Sequence, residues 1–331
     1  MNPDFLKIFV DYEEISLRYD VQHRAVWCYY NPTPRPCFTS TMLKELRQMQ
    51  QSIINYFNAK QAKSETLIRY MILHSQVHGI FSLGGDLALF SRLIKEKNRQ
   101  QLLDYAKQCI DICYLNSVNM HLPLTTISLV EGAALGGGFE SALSSNVLIA
   151  TKNAQMGFPE IRFNLFPGMG AYSLLARSCG MGIAEKMLTS GETYSARKLY
   201  EMEIIDYLGE TGKGVESVEK FMKQHRQSGN GHRALQQVRQ RYNPINYQEL
   251  EDITEIWVDA ALRIKDKDLR LIDRLVKAQS LKITDPKDGS ILRTKQDRRF
   301  VIEKNIFPLA DWSGETIMVD RRKNPERRLF H

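Results

Sequence analysis

A strand that runs into consecutive glycines and then straight into a helix leaves the backbone between them few choices, and one stretch of this chain has that form. Thr125-Thr-Ile-Ser-Leu-Val130 is apolar and β-branched and reads as a strand. Glu131-Gly-Ala-Ala-Leu-Gly-Gly-Gly-Phe-Glu140 follows, and Phe139-Glu-Ser-Ala-Leu143 can open a helix. Such a join aims unpaired N–H groups at one point, at the positive end of a helix dipole. A second join lies upstream, where the strand-like Tyr70-Met-Ile-Leu-His74 precedes Phe81-Ser-Leu-Gly-Gly-Asp86-Leu and a helical stretch. Two such turns are the material of an oxyanion hole. Two glutamates accompany them, Glu140 at the end of the glycine run and Glu160 in Met156-Gly-Phe-Pro-Glu160-Ile.

The rest of the chain places these turns in a repeating pattern. Alternating residues between Phe5 and Tyr30 predict an opening strand hairpin, and Asn31-Pro-Thr-Pro-Arg-Pro36 forces an extended connector. Met42, Leu43, Leu46, Met49, Ile53, Ile54 and Phe57 recur at helical spacing behind an N-cap at Thr39 or Ser40. Strands at about 67–74, 125–130 and 147–150 then alternate with helices over 102–120 and up to 145, which implies a mostly parallel sheet covered by helices. Beyond about residue 215 only helical periodicity remains, in Leu250, Ile253, Ile256, Trp257, Ala260, Ala261 and Ile264 and again from Leu271 to Val276. The expected organisation is a core over 1–220 and a helical region with a basic tail over 221–331, with Ser228-Gly-Asn-Gly231 as linker.

Composition excludes several classes. With 331 residues, 43% hydrophobic and 25% charged, the chain has the make-up of a folded globular protein. It holds no apolar run long enough to span a bilayer and no leader-like start, so a cytoplasmic location away from membranes is expected. The odd set Cys28, Cys37, Cys109, Cys113 and Cys179 argues against disulfides or zinc, and Cys109 and Cys113 read as helix packing. Gly168-Met-Gly-Ala-Tyr-Ser173 lacks the third glycine and the acidic residue of a dinucleotide fingerprint, so no nicotinamide cofactor is expected. The net charge of +7, partly in residues 293–299 and 321–328, suits an acidic partner, but the tail lacks the aromatic residues of a nucleic-acid platform.

Taken in order, Phe81-Ser-Leu-Gly-Gly-Asp-Leu, Gly132-Ala-Ala-Leu-Gly-Gly-Gly-Phe-Glu140, Phe158-Pro-Glu160 and Asn164-Leu-Phe-Pro-Gly-Met-Gly170 resemble the crotonase (enoyl-CoA hydratase/isomerase) superfamily over roughly residues 20–210. The resemblance implies an α/β crotonase spiral of repeated ββα units with a helical C-terminal region. It also implies oxyanion donors at Gly85 and Gly137, catalytic carboxylates at Glu140 and Glu160, and assembly as trimers or pairs of trimers. The segment Ala25–Phe38 and the charged helical extension are similar to the diffusible-signal-factor synthases, a crotonase-fold branch that makes cis-2-unsaturated fatty acid signals. That branch dehydrates a 3-hydroxyacyl carrier-protein thioester and hydrolyses the product to free acid, with no metal or other cofactor. Acyl carrier protein is then the expected partner, and some branch members also bind a sensor kinase.

The residue types suit this chemistry. Glycine lets a thioester carbonyl approach the backbone closely, and preorganised N–H donors stabilise the charge that its oxygen gains. Removing water from a 3-hydroxyacyl group needs a base for the Cα proton and an acid for the hydroxyl, which paired carboxylates in a partly apolar site can supply together. A fatty chain must also be buried, and Trp257 with Leu271 or Leu275 is the expected wall of its tunnel. The rival readings are a coenzyme A hydratase or thioesterase with the same residues, and an idle crotonase-fold protein that binds a regulatory partner.

Overall fold

The structure is a computed structural model that describes residues 3–59 and 67–281, together with Leu309–Ala310 and Thr316–Ile317. The basic stretches at 293–299 and 321–328 lie outside the described residues. The chain divides into a unit over Met1–Gln296 and a unit over Asp297–His331.

In the first unit the strands are β1 (Ile15–Asp20), β2 (Ala25–Tyr30), β3 (Tyr70–Ser75), β4 (Ile80–Ser82), β5 (Thr125–Val130), β6 (Ala133–Leu135), β7 (Val147–Thr151), β8 (Gln155–Gly157), β9 (Thr193–Ser195) and β10 (Tyr207–Gly209). The first helices are α1 (Pro3–Leu6), α2 (Ser40–Ala59), α3 (Leu87–Lys95), α4 (Arg99–Ser117), α5 (Gly137–Leu143) and α6 (Ala171–Cys179). They continue as α7 (Met181–Ser190), α8 (Ala196–Glu201), α9 (Gly214–Gln227), α10 (Gly229–Tyr242), α11 (Tyr247–Ala261) and α12 (Asp266–Leu281). In the second unit β11 (Leu309–Ala310) pairs antiparallel with β12 (Thr316–Ile317). Among the described residues no helix is long and apolar enough to cross a membrane.

Two sheets organise the first unit, in the orders β1-β2-β3-β5-β7-β10 and β4-β6-β8-β9. Each successive pair, β3 with β4, β5 with β6 and β7 with β8, gives one strand to each sheet, so the chain spirals through both. All pairings are parallel except β1 with β2 and β8 with β9.

The larger sheet is buried on both faces, which is why its strands read as continuous apolar runs. On one face Trp27, Ile72, Ile127 and Ile149 pack with Val218, Phe221 and Met222 of α9. On the other, Val26, Cys28, Met71, Leu73 and Ala150 join the main core. Between helices, buried Asn116 donates to Ser144 Oγ at 2.8 Å and Ser145 Oγ at 3.0 Å, fixing α4 against the end of α5.

Three expectations are revised. The opening hairpin is confined to β1 and β2, with a short helix at Pro3–Leu6. The glycines of Ser228–Gly231 do not form a linker; Gly229 to Gly231 start α10, where the first-turn N–H groups need no helical partner anyway. The described helices beyond residue 220 belong to the same compact unit as the core.

Polar clamps hold those helices down. Arg99 pairs with Asp259 at 2.9 Å and Lys107 with Glu251 at 2.6 Å, joining α4 to α11. Arg177 of α6 binds Glu249 through both nitrogens, at 2.9 and 2.7 Å, and also donates to the Pro244 carbonyl. On α12, Asp273 accepts from Ser91 and Lys95 of α3.

The Arg177 hydrogen bonds hold the Glu249 carboxyl below its ordinary range. A depressed folded-state pKa contributes stability above the unfolded value that is lost as pH falls. Arg177→Met is therefore expected to lower the unfolding midpoint at neutral pH by about 2–4 °C, the effect of roughly 1 kcal/mol in a domain of this size. The gap between variant and parent should close in acid; an equal gap at about pH 3 would mean that the pair contributes nothing through charge.

Candidate active site

Because β4 and β6 are parallel neighbours, the turns that leave them emerge side by side. They approach so closely that a Cβ on Gly84 would lie 2.8 Å from the Leu135 carbonyl oxygen and 3.0 Å from Gly137 N. A Cβ on Gly137 would lie 3.3 Å from Gly85 N. Gly84 has φ +93° and Gly136 φ +53°, conformations that favour glycine. Among the described residues the N–H groups of Gly85 and Gly137 donate to no protein acceptor. Asp86 caps α3 by accepting from Ala88 and Leu89 N–H at 3.0 and 3.2 Å, and Arg35 pairs with it at 2.9 Å. The Asp86 N–H donates to Tyr105 Oη at 3.0 Å. These contacts fix the exit of the first turn, and the Leu83 N–H donating to the Pro36 carbonyl at 2.7 Å fixes its entry.

Glu140 lies on α5, 1% exposed. Its Oε1 accepts the N–H groups of Met169 at 2.8 Å and Ala171 at 3.0 Å, while Oε2 is buried without a partner. Burial drives its pKa up to about 7, against the lowering effect of the two backbone donors. Glu160 follows β8 in the short 3-10 helix Pro159–Phe163. Its Oε1 lies where a Cβ on Gly136 would be, at 2.2 Å, and its Oε2 is also buried and unpartnered. Burial first, and then the charge of Glu140, raises its pKa to about 8. Near neutral pH the pair therefore retains a proton and can offer one acid and one base.

Gly85, Gly137, Glu140 and Glu160 line one cavity whose remaining wall is mostly apolar, including Leu87, Phe90, Leu135 and Phe163. Trp257 and Leu275 close it from α11 and α12. Trp257 is 2% exposed, lies edge-on to Phe90 at 5.1 Å, and covers Gly168, where a Cβ would come 2.3 Å from its ring. Leu271 is not on the wall; it is partly buried and packs against the core. The apolar stripe of α12 reaches the cavity one turn later, at Leu275 and then Gln279.

Sequence reasoning also missed Gly136 as the seat of Glu160, and the N–H groups of Met169 and Ala171 as its counterpart at Glu140. The second signal lay in Phe166-Pro-Gly-Met-Gly170, whose glycines mark a tight turn but not its target. Cys109 and Cys113 are buried on α4, and among the described residues no group of three His, Cys, Asp or Glu side chains could hold a metal ion.

The fold agrees with what the chain is similar to. The family model described as enoyl-CoA hydratase/isomerase matches residues 31–281, and the chain belongs to that family. Human mitochondrial methylglutaconyl-CoA hydratase is 30% identical over 146 residues, 44% of this chain and 41% of that protein. A probable enoyl-CoA hydratase of Bacillus subtilis is 28% identical over 191 residues, 58% of this chain and 67% of its own. The matched stretch spans only 41% to 44% of the first mammalian relatives. In structure, the enoyl-CoA hydratase of Bacillus halodurans superposes with a TM-score of 0.64 at 19% identity, over 80% of this chain and 100% of that one. Human mitochondrial delta3-delta2-enoyl-CoA isomerase does so with a TM-score of 0.65 at 15% identity, over 80% and 98%. These likenesses confirm the crotonase fold.

A carboxylate whose pKa is raised on folding destabilises the native state as pH rises from the unfolded value of 4.5 toward the folded one, because the unfolded chain releases its proton first. Glu160→Gln removes that loss. The variant should gain thermal stability over the parent near pH 8 and show little gain near pH 4. A gain that does not change with pH would show that Glu160 is not held protonated.

Proposed function

We propose that the protein dehydrates a 3-hydroxyacyl thioester to the 2-enoyl thioester and, as a member of the diffusible-signal-factor synthase branch, hydrolyses that product to a cis-2-unsaturated free acid. One observation carries the reading: two buried carboxyl groups and two glycine N–H groups, each with an atom that has no partner among the described residues, share one mostly apolar cavity. The thioester oxygen would lie between Gly85 and Gly137, which stabilise it as the Cα proton leaves; one such donor is typically worth about 2.7–4 kcal/mol in the transition state. One of Glu140 and Glu160 takes the Cα proton and the other protonates the departing hydroxyl, so the pair ends with the proton count it began with. The same donors would then hold the tetrahedral oxyanion while a carboxylate orients water for hydrolysis. Trp257 and Leu275 would wall the acyl tail.

Acyl carrier protein is the proposed carrier, favoured by the chain's +7 charge. The second reading, a coenzyme A thioester, is favoured by the names of the relatives, which include probable enoyl-CoA hydratases.

Glu140→Gln and Glu160→Gln should each cut turnover by about 10²–10⁴ without loss of fold, because the shape survives and proton transfer does not. Mass spectrometry of fatty acids released by expressing cells checks this, and parental levels of unsaturated acid from either folded variant would remove that glutamate from the mechanism. Trp257→Leu should shift the preferred acyl length while sparing short thioesters; an unchanged product profile would leave the residue as packing. KM for an acyl carrier protein substrate should rise with salt far more than KM for a pantetheine thioester. Equal responses would favour the coenzyme A reading.

A further inference from the structure

Gln279 lines the same cavity as Glu140 and Glu160, and its Oε1, like their Oε2 atoms, is a buried acceptor with no partner among the described residues. Gln279 is 8% exposed and lies one turn beyond Leu275 on α12. Its Nε2 donates to the Leu83 carbonyl at 3.3 Å, immediately before the Gly84–Gly85 turn. A carbonyl only accepts, so this contact settles which end of the amide faces it and leaves Oε1 to accept. A buried amide oxygen without a donor opposes folding, and a bound ligand that supplies a donor removes that cost.

At the reacting centre of the proposed substrate the thioester oxygen and sulfur only accept, and the acyl chain is apolar. The 3-hydroxyl is the one donor there. We propose that Gln279 is a specificity-determining residue that recognises this hydroxyl, with Oε1 accepting its O–H; the proposal rests on the dehydratase reading and deepens it. A hydroxyl that donates a hydrogen bond to Gln279 while keeping its proton presents its lone pairs to the protonated carboxyl of the glutamate pair. That carboxyl transfers a proton to the oxygen, the Cβ–O bond breaks, and water leaves as the other carboxylate takes the Cα proton. Discrimination follows as well, because a ligand without the hydroxyl leaves Oε1 buried and unpaired.

The test compares Gln279→Met with the parent protein. Dehydration is followed with a 3-hydroxyacyl ethyl thioester, which has no amide, and with the matching pantetheine thioester. Inhibition by a saturated acyl pantetheine thioester of equal length measures binding without the hydroxyl and shows that the site is folded. The expected result is a fall of about tenfold or more in kcat/KM for both hydroxy substrates, with the inhibition constant unchanged within about twofold. An equal loss for the saturated ligand would make Gln279 a packing residue and overturn the proposal. Loss confined to the pantetheine substrate would assign Oε1 to the amide of the carrier arm instead. Normal dehydration by both proteins would remove this proposal and leave the dehydratase reading standing, whereas no dehydration by the parent would remove both.

Discussion

Parallel pairing of β4 with β6 sets the Gly84–Gly85 turn against the Gly136–Gly137 turn at a separation that leaves no room for Cβ atoms. The rest of the site depends on that approach. It brings two N–H groups together without acceptors of their own, starts α5 where Glu140 can face the cavity, and opens beside Gly136 the space that the Glu160 carboxyl fills. Arg35, Asp86 and Tyr105 hold the first turn from outside, so the donors are positioned before any ligand arrives.

Burying two carboxyl groups beside one another opposes folding. Two backbone donors at Glu140 offset only part of the cost, and the outer oxygen of each glutamate stays unpaired. The protein sustains this because the site is framed by a sheet buried on both faces and by the Asn116 contacts that join α4 to α5. In the proposed reaction the retained proton is the functional return on that cost. A carboxyl near pKa 7 or 8 can act as an acid at neutral pH, which one at 4.5 cannot.

Much of this was legible in the sequence, for local reasons. The βα alternation, the strand–glycine–helix joins and the pairing of Glu140 with Glu160 are short-range patterns, and the structure places the four named site residues on one cavity. What could not be read depends on neighbours remote in sequence. The three consecutive glycines look alike, yet Gly136 makes room for Glu160, Gly137 abuts Gly85, and Gly138 passes the Ser82 carbonyl. Helical periodicity marks the buried face of α12 but not the turn at which it reaches the cavity, so it offers Leu271 and Leu275 alike, whereas the cavity is lined by Leu275 and Gln279. The glycines near 229 suit a break as well as a helix start, and only the packed structure shows that α10 begins there.

The C-terminal helices complete the cavity rather than extend the protein. Trp257 can pack against the 167–170 turn only because residue 168 is glycine, and Thr254 ties α11 to that same glycine's carbonyl at 3.0 Å. The 167–170 turn and the cavity lining therefore form one packed body. The central claim is that this body holds a proton on a pair of buried glutamates at neutral pH. Isotope-edited infrared spectroscopy of protein labelled with ¹³C-carboxyl glutamate, recorded across pH, tests it most directly. The account predicts a protonated carboxyl band that persists at pH 7, titrates near pH 7–8 and is lost or altered in Glu160→Gln. A spectrum in which every glutamate is ionised by about pH 6 would contradict it.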